Sequence, residues 1–156
     1  MLWPEKTTSV VLSSMPVGEA DRRLSVLTKE LGKISCFARG ARRPTSALIA
    51  STRPFAFGRF FLYSGRDSYS LNRAEISEHF ENVVMDVERS AYGMYFLELA
   101  GYFAQENTDE SASLALLYYA LRALTNDRLP MRLVMRIFEM KTLTIAGFAP
   151  EFRLGE

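Results

Sequence analysis

The sequence predicts an α+β protein whose two halves differ in secondary structure, and three observations support this prediction. Residues 7–73 contain five short runs in which apolar and polar side chains alternate, as in half-buried β-strands. From Ile76 onward the apolar spacing becomes that of a helix. A short helical segment also separates the third strand from the fourth, an order typical of an OB-type barrel. We therefore predict a five-stranded OB-type β-barrel in residues 1–80, followed by an all-α helical domain in residues 81–156.

The first three strands are predicted from alternation that is interrupted by turns. They comprise Thr7–Ser14, Asp21–Lys29 and the segment from Ile34 to Arg39. Gly32 precedes the third strand, in a turn where glycine can adopt the positive φ that tight turns often need. We expect one face of that strand to pack inside the barrel, namely Ile34, Cys36 and Ala38.

The remaining barrel segments are a short helix and two strands. Thr45–Ser51 is predicted as the helix, capped by Thr45 or Ser46, with Leu48 and Ile49 closing one end of the barrel. Phe55–Tyr63 is apolar on nearly both faces and should be a central strand, and Ser68–Arg73 returns beside it. A small SH3-like barrel is the alternative, but it accounts less well for the intervening helix.

Three longer helices are predicted in the second half. Val87–Gln105 is apolar nearly all round from Ala91, which indicates a central helix. Glu110–Thr125 carries leucines at helical spacing, at positions 114, 117, 121 and 124. The last helix begins near Pro130, a residue favoured in a first turn, and ends at Gly147 with Pro150 beyond it.

Charge is distributed unevenly between the two halves, although the formal net charge is only +1. Residues 1–80 hold 12 Lys/Arg and 7 Asp/Glu, a net charge of +5, whereas residues 81–156 hold 7 and 11, a net charge of −4. Within Arg22–Arg73, 11 basic residues stand against Glu30 and Asp67. A basic half of this kind indicates a polyanionic partner.

No catalytic constellation appears, so we predict that the protein is not an enzyme. The only histidine, His79, lacks partners at the spacing that catalysis or metal binding requires. Glycine-rich nucleotide motifs and a nucleophile elbow are absent from the sequence. The single cysteine, Cys36, excludes an intramolecular disulfide and a cysteine-based zinc site within this chain. We accordingly predict no metal and no cofactor.

The sequence predicts a cytoplasmic protein that does not associate with membranes. The N-terminus, MLWPEKTTS, lacks the basic start and apolar run of a signal peptide. The most apolar segment, Ala91–Ala104, is 14 residues long and contains Glu98, so it is too short to span a bilayer. One cysteine fits a reducing compartment.

The candidate binding residues are basic side chains with aromatic neighbours. Guanidinium groups grip phosphate through paired hydrogen bonds, and single strands stack their bases on aromatic rings. Phe37 shares its strand face with Lys33 and Arg39, while Arg42 and Arg43 lie in a loop that we expect to be exposed and flexible. The predicted nucleic-acid-binding set comprises Arg22, Arg23, Lys29, Lys33, Phe37, Arg39, Arg42, Arg43, Arg53, Arg59 and Arg66.

Several alternatives stay open at this point. A loop arginine pair is also a common solvated feature, and core packing competes with base stacking for the aromatic residues Phe37, Phe57 and Phe61. In the second half, i, i+4 spacing predicts one basic stripe formed by Arg128, Arg132 and Arg136. That stripe fits a solvated face, a dock for an acidic peptide or a nucleic-acid site. An RNA-binding OB module and a protein-interaction scaffold are the alternative functions.

The sequence resembles the bacterial recombination mediator family RecO. Four stretches carry the resemblance: GEADRRLSVLTKELGKISCFARGARRPTS (18–46), RPFAFGRFFLYSGRDSYSLNRAEI (53–76), ERSAYGMYFLEL (88–99) and GFAPEF (147–152). They fall along nearly the whole chain, and the block of turn, strand and arginine loop is quite specific. Lys33, Arg39, Arg42 and Arg43 match the basic strand-and-loop segment of the family.

The resemblance implies an N-terminal OB domain, a helical domain and a role in recombinational DNA repair. It implies binding of single- and double-stranded DNA, annealing of complementary strands, and help in loading the RecA recombinase. It also implies RecR and the acidic C-terminal tail of the single-stranded DNA-binding protein as partners, in a nucleoid-associated location. Family members usually continue into a cysteine cluster that often binds zinc, whereas this sequence ends at Glu156 without those cysteines, so zinc is not carried over.

Overall fold

The protein, described by a computed structural model over residues 3–148, is a β-barrel followed by a layer of helices. The strands are β1 (Glu5–Val17), β2 (Asp21–Thr28), β3 (Gly32–Ala38), β4 (Phe57–Ser64) and β5 (Tyr69–Glu78). The helices are α1 (Glu81–Val84), α2 (Val87–Phe103), α3 (Ser111–Ala123) and α4 (Met131–Ile145). No helix among the described residues is both long enough and apolar enough to cross a membrane.

The five strands close into a barrel in the order β1-β2-β3-β5-β4. Neighbouring strands are antiparallel, except that β3 pairs with β5 in parallel. This closure, with the long connection between β3 and β4, confirms the predicted OB-type barrel and the α+β class.

Alternation along the strands separates an interior from an outer face. The interior is filled by Val11, Leu24, Val26, Phe60 and Leu62, together with the predicted face of β3, Ile34, Cys36 and Ala38. In β1 the register shifts between Val11 and Ser13, which marks a bulge. Val10 and Leu12 alternate with the inward-facing Val11, so they point outward, into the core that the barrel shares with the helices. After the bulge, Met15 pairs with outward-facing Arg23.

The helices bury their apolar faces against one another and against the outside of the barrel. All four leucines predicted for α3 are buried, and Phe96 of α2 stacks on Phe138 of α4 with ring centroids 4.4 Å apart. Val10, Leu12 and Leu27 contribute the barrel's side of this shared core. Gly93 of α2 allows close approach, since a Cβ there would lie 2.9 Å from the ring of Phe55.

The segment between α2 and α3, residues 104–110, fixes the helices to the barrel through hydrogen bonds. The amide of Lys33 donates to the carbonyl of Gln105 (3.0 Å), and the amide of Asn107 donates to the carbonyl of Leu31 (3.0 Å). The ammonium of Lys33 donates to the carbonyl of Gly101 (2.7 Å), near the C-terminal end of α2. Gly32 is required at this junction because its φ is +71° and an added Cβ would lie 2.0 Å from the carbonyl oxygen of Gln105.

The helix predicted over Thr45–Ser51 is wrong, because this segment forms turns that lead into one 3-10 turn at Ala50–Thr52. Side-chain hydrogen bonds compete with helix formation here. The hydroxyl of Ser46 accepts from the amide of Leu48 (3.0 Å), and that of Thr52 donates to the carbonyl of Leu48 (2.7 Å). Of the two residues predicted to close one end of the barrel, Leu48 packs against the barrel interior, whereas half-buried Ile49 is not part of that cluster.

The boundary between strand and helix also differs from the prediction. The strand β5 continues to Glu78 rather than ending at Arg73, because Ala74 and Ile76 still pack against the barrel interior. Pro150, which we expected beyond the last helix, lies outside the described residues, as does the end of the GFAPEF stretch.

Candidate nucleic-acid interface

A basic and partly aromatic surface covers the outside of β2 and β3, continuing onto β1 and β5. Cross-strand pairing places Met15, Arg23, Phe37 and Ser70 in one row, with each residue opposite the next. Arg23 and Ser70 are exposed, and Met15 is 56% exposed. We call these four residues, with Arg39 beyond the end of β3, the first surface.

Phe37 is the aromatic centre of the first surface. It is half-buried and faces away from the barrel interior. The guanidinium of Arg23 lies 5.6 Å from the centroid of the Phe37 ring, and its Nε donates to the hydroxyl of Ser35 (3.1 Å). A ring held in this way can receive a base, while the neighbouring cation attracts phosphate.

Arg42 has a structural role that the sequence did not reveal. Its guanidinium donates to the backbone carbonyls of Asp21 (3.0 Å), Gly18 (2.6 Å) and Val17 (3.5 Å). Its own amide donates to the carbonyl of Ala20 (2.9 Å). The arginine loop is therefore tied to the β1–β2 turn, so the expectation of a flexible loop with a freely exposed Arg42 is wrong.

Arg39, Arg43 and Arg66 are exposed, and none of the three makes an ion pair among the described residues. Arg43 extends from the loop that Arg42 anchors, and its Cδ lies 3.5 Å from where a Cβ on Gly40 would be. Arg66 lies in the β4–β5 turn. The β1–β2 and β4–β5 turns flank the nucleic-acid-binding face of OB barrels, so these positions suit phosphate contacts.

Other members of the predicted set lie elsewhere. Lys33 is occupied by the carbonyl of Gly101, and half-buried Arg22 donates to the hydroxyl of Ser14 (3.3 Å). Lys29 lies in the β2–β3 turn, where its carbonyl accepts from the amide of Glu110 at the start of α3 (2.9 Å). Arg53 borders a cavity near α1 and α2 that is also lined by Met85 and Met94. The structure does not bring Arg22, Lys29 or Arg53 into the first surface. Lys33 lines the same groove as Met15 and Arg23, but its ammonium is held by the carbonyl of Gly101.

Arg59 belongs to a different cluster, on the outside of β4. Its guanidinium pairs with Glu75 (2.5 Å), which also pairs with Arg73 (2.8 Å). The hydrogen bond from Arg73, followed by that from Arg59, holds the pKa of Glu75 below its usual value. The guanidinium of Arg73 lies 3.8 Å from the centroid of the Phe61 ring. The predicted set omitted Arg73, because only the pairing of Phe61 with Arg73 brings them together.

The structure shows which of the aromatic side chains pack in a core and which lie on the outside of the barrel. Phe57 packs against the shared core, with its ring centroid 4.9 Å from that of Tyr118. Phe37 and Phe61 lie outside the barrel interior, half-buried beside arginines. Tyr69 packs against the barrel interior, whereas Tyr63 is 36% exposed.

The basic stripe predicted on the last helix is only partly formed. Arg132 and Arg136 are exposed one turn apart on α4, and Arg136 pairs with Glu139 (3.0 Å). Arg128 precedes the helix, in a turn where its amide donates to the side chain of Asn126 (3.0 Å). Helical spacing therefore does not apply to Arg128, and the prediction of one continuous stripe is wrong.

Cys36 is a buried thiol inside the barrel, and burial raises its pKa to about 12. A thiol with so high a pKa is unreactive at neutral pH. Within residues 3–148 no group of three or more His, Cys, Asp or Glu side chains is arranged to hold a metal ion.

The barrel topology and the outer basic surface define the class: an OB-type barrel joined to a helical domain. Comparison with protein families then gives a specific assignment. The family model described as recombination protein O N terminal matches residues 1–80, and that described as recombination protein O C terminal matches residues 85–153. The chain belongs to the recombination protein O (RecO) family.

Individual relatives support the same assignment. The DNA repair protein RecO of Acetivibrio thermocellus is 36% identical over 146 residues, which cover 93% of this chain and 58% of the relative. The DNA repair protein RecO of Desulforudis audaxviator is 39% identical over 146 residues, which cover 94% of this chain and 58% of the relative. The chain thus spans less than two thirds of the length of these relatives.

Proposed function

We propose that the protein is a non-catalytic DNA-binding protein of recombinational repair. In this proposal it binds single- and double-stranded DNA, anneals complementary strands and assists the loading of the recombinase. The observation that carries the proposal is the first surface, where Phe37 and Arg23 stand side by side on the outer β2–β3 face of an OB-type barrel. Family membership makes DNA the expected polymer.

The first surface has the two components that single-strand binding requires. Phe37 offers a ring on which a base can stack, with a contribution of about 1–3 kcal/mol per base. The guanidinium of Arg23 lies beside that ring, and Arg39 follows two residues after Phe37. Neither arginine makes an ion pair among the described residues. Arg43, held near the β1–β2 turn by the anchored loop, extends the charge along one edge.

Annealing follows from neutralisation of charge. Two complementary backbones repel each other, and fixed cations on the barrel reduce that repulsion so that bases can meet. No group on the protein needs to form or break a covalent bond in this step. The helical domain is the expected region for protein contacts. We extend the proposal to RecR and to the acidic C-terminal tail of the single-stranded DNA-binding protein on the resemblance alone.

The direct test is a salt titration of single-stranded DNA binding, measured by fluorescence anisotropy. If about 5 phosphates are contacted, log affinity falls against log salt with a slope near −3.5. In the double variant Arg39→Glu/Arg43→Glu, two phosphate contacts are lost, so the slope becomes shallower by about 1.4 and affinity falls at least about tenfold. Both side chains are exposed and neither makes a hydrogen bond to another described residue, so the variant should keep its fold.

A matched control places the same charge change on the helices. Arg122 and Lys141 are exposed and make no ion pair among the described residues, so Arg122→Glu/Lys141→Glu has the same net charge as the test variant. Equal losses in both variants would indicate a general charge effect and refute a site on the barrel. Phe37→Leu, which keeps an apolar side chain but removes the ring, should weaken binding more than Phe37→Trp.

Competition with RNA of the same base sequence separates the proposal from an RNA-binding OB module. A DNA-binding protein is displaced no better by RNA than by DNA, whereas a reader of 2′-hydroxyl groups prefers RNA. A chain with no salt-dependent affinity for either polymer would instead act as a protein-interaction scaffold.

A further inference from the structure

A second basic and aromatic surface lies on the opposite side of the barrel. It is centred on β4, which stands across the closed barrel from the β2–β3 face in the strand order β1-β2-β3-β5-β4. Pairing places Lys6, Phe61 and Arg73 in one row, and Thr8, Arg59 and Glu75 in the next. We call the following residues the second surface: Lys6, Arg59, Phe61, Tyr63, Arg73 and Glu75.

The charge of the second surface favours an anion. Lys6, Arg59 and Arg73 supply three positive charges, and Glu75 removes one, so the cluster has a net charge of +2. Lys6 is exposed and makes no ion pair among the described residues. Glu75 also fixes geometry, because its two oxygens hold the guanidiniums of Arg59 and Arg73 side by side. Both arginine side chains are 55% exposed, so their remaining N–H groups are available to phosphate.

The aromatic part of the second surface suits bases rather than isolated phosphate ions. Phe61 and Tyr63 are two residues apart on β4, so both rings lie on the outer face, about 6.6 Å apart along the strand. The guanidinium of Arg73 covers the Phe61 ring at 3.8 Å. A guanidinium that lies on a ring presents its other face to solvent, where a base can stack on it. Tyr63 offers a second platform beside it.

The two surfaces meet at β5. Ser70 pairs with Phe37 of the first surface and with Tyr63 of the second. Neighbouring strands are about 4.8 Å apart, so about 10 Å separates the backbones at Phe37 and Tyr63. Arg66, which is exposed, lies in the turn that joins β4 to β5 near this meeting point. The barrel thus carries two stacking surfaces that converge near the β4–β5 turn, where exposed Arg66 lies next to Asp67.

We propose that the second surface binds a second single strand of nucleic acid, so that one barrel holds the two strands that are to be paired. This inference rests on the proposed function and adds to it a separate site for the second strand. The strands occupy opposite sides of the barrel and approach each other at the Arg66 turn, where pairing begins.

The test measures stoichiometry and annealing separately. Native mass spectrometry with an oligothymidylate of about 8 nucleotides, a length within the site size of one OB fold, should show two oligonucleotides per wild-type chain. The variant Lys6→Gln/Arg73→Gln should bind one. Its annealing rate for complementary strands should fall at least about tenfold, while its affinity for the first strand changes less than about twofold. The control variant Arg122→Gln/Lys141→Gln loses the same charge on the helices, and it should bind two oligonucleotides and anneal at the wild-type rate.

A conservative variant distinguishes stacking from charge. Arg73→Lys keeps the charge but loses the planar group that lies on Phe61, so annealing should slow without a change in the salt dependence of binding. A wild-type chain that saturates at one oligonucleotide and still anneals would overturn the second site and leave the proposed function standing. A chain with no salt-dependent binding at all would overturn both. Normal annealing by Lys6→Gln/Arg73→Gln would also exclude the second site.

Discussion

Replacement of Arg42 tests whether this residue is a structural anchor or a phosphate contact. Arg42→Ala removes two short hydrogen bonds, to the carbonyls of Gly18 (2.6 Å) and Asp21 (3.0 Å), and a third at the limit of bonding distance, to Val17 (3.5 Å). The bonds from the backbone amides of Arg42 and Gly40 remain. The perturbation is therefore confined to the side chain.

The magnitude follows from the two short bonds. A hydrogen bond contributes about 0.5–1.5 kcal/mol net, and more when one partner is charged. The carbonyls lie near the surface, where water replaces the lost donor, so the lower range applies and the free energy of unfolding should fall by about 1–3 kcal/mol. For a chain of this size, about 2 kcal/mol corresponds to a decrease in Tm of about 4–8 °C.

The assay is thermal unfolding followed by circular dichroism, with Arg43→Ala as the matched control. Arg43 is exposed and its side chain makes no hydrogen bond to another described residue, so its replacement should change stability by less than about 0.5 kcal/mol. Arg42→Lys keeps the charge but cannot reproduce the planar fork, and should lose most of the stability that Arg42→Ala loses.

The effects of the two variants on single-strand binding should be the reverse of their effects on stability. Arg43→Ala should reduce the salt slope of single-strand binding by about 0.7, one phosphate contact, without a change in Tm. The anchoring role of Arg42 is refuted if Arg42→Ala melts with wild-type Tm, or if Arg42→Lys restores full stability.

Three further predictions concern the scaffold. Gly32→Ala should prevent folding or lower the free energy of unfolding by more than about 3 kcal/mol, because the added Cβ would collide with the carbonyl of Gln105. Gly18 has φ +61° but no atom near its Cβ position, so Gly18→Ala should lower the free energy of unfolding in urea by only about 1 kcal/mol. Cys36, whose pKa burial raises to about 12, should react with a thiol reagent at pH 7–8 only in denaturant; prompt native labelling would contradict its burial. Lys33→Met removes the hydrogen bond to the carbonyl of Gly101, so it should lower the free energy of unfolding by about 1 kcal/mol. It should leave the salt dependence of single-strand binding unchanged, and a slope shallower by about 0.7 would instead show that Lys33 contacts a phosphate.

Local patterns sufficed for the strands of the barrel but not for the side chains that act across it. Alternation predicted that Ile34, Cys36 and Ala38 face the interior, because strand geometry alone decides which residues share a face. The hydrogen-bond partners of Arg42 lie more than twenty residues earlier in the sequence. The sequence alone therefore could not show that Arg42 is a structural anchor while the neighbouring Arg43 is exposed. Pairing across strands, not spacing along one strand, creates the contact of Arg73 with Phe61.

The two wrong helical predictions have local causes that composition conceals. Thr45–Ser51 is too short to offset the cost of helix nucleation once Ser46 and Thr52 offer its backbone other hydrogen bonds. Arg128 has the correct spacing from Arg132, but the helix begins only after Pro130, so spacing across that boundary carries no information. In both cases the residue spacing is that of a helix, but no helix covers all of the residues concerned.

The contacts in the structure also change how the excess of basic residues in residues 1–80 should be interpreted. Eleven cations within Arg22–Arg73 suggested one polyanion site, but packing gives them different roles. Lys33 and Arg42 bind backbone carbonyls, and Arg59 shares Glu75 with Arg73. The helices cover the barrel through Val10, Leu12 and Leu27, which leaves the outer residues Phe37 and Phe61 beside arginines on opposite sides. A net charge therefore indicates the kind of partner, whereas the strand order of the closed barrel determines which of the basic side chains share one outer face.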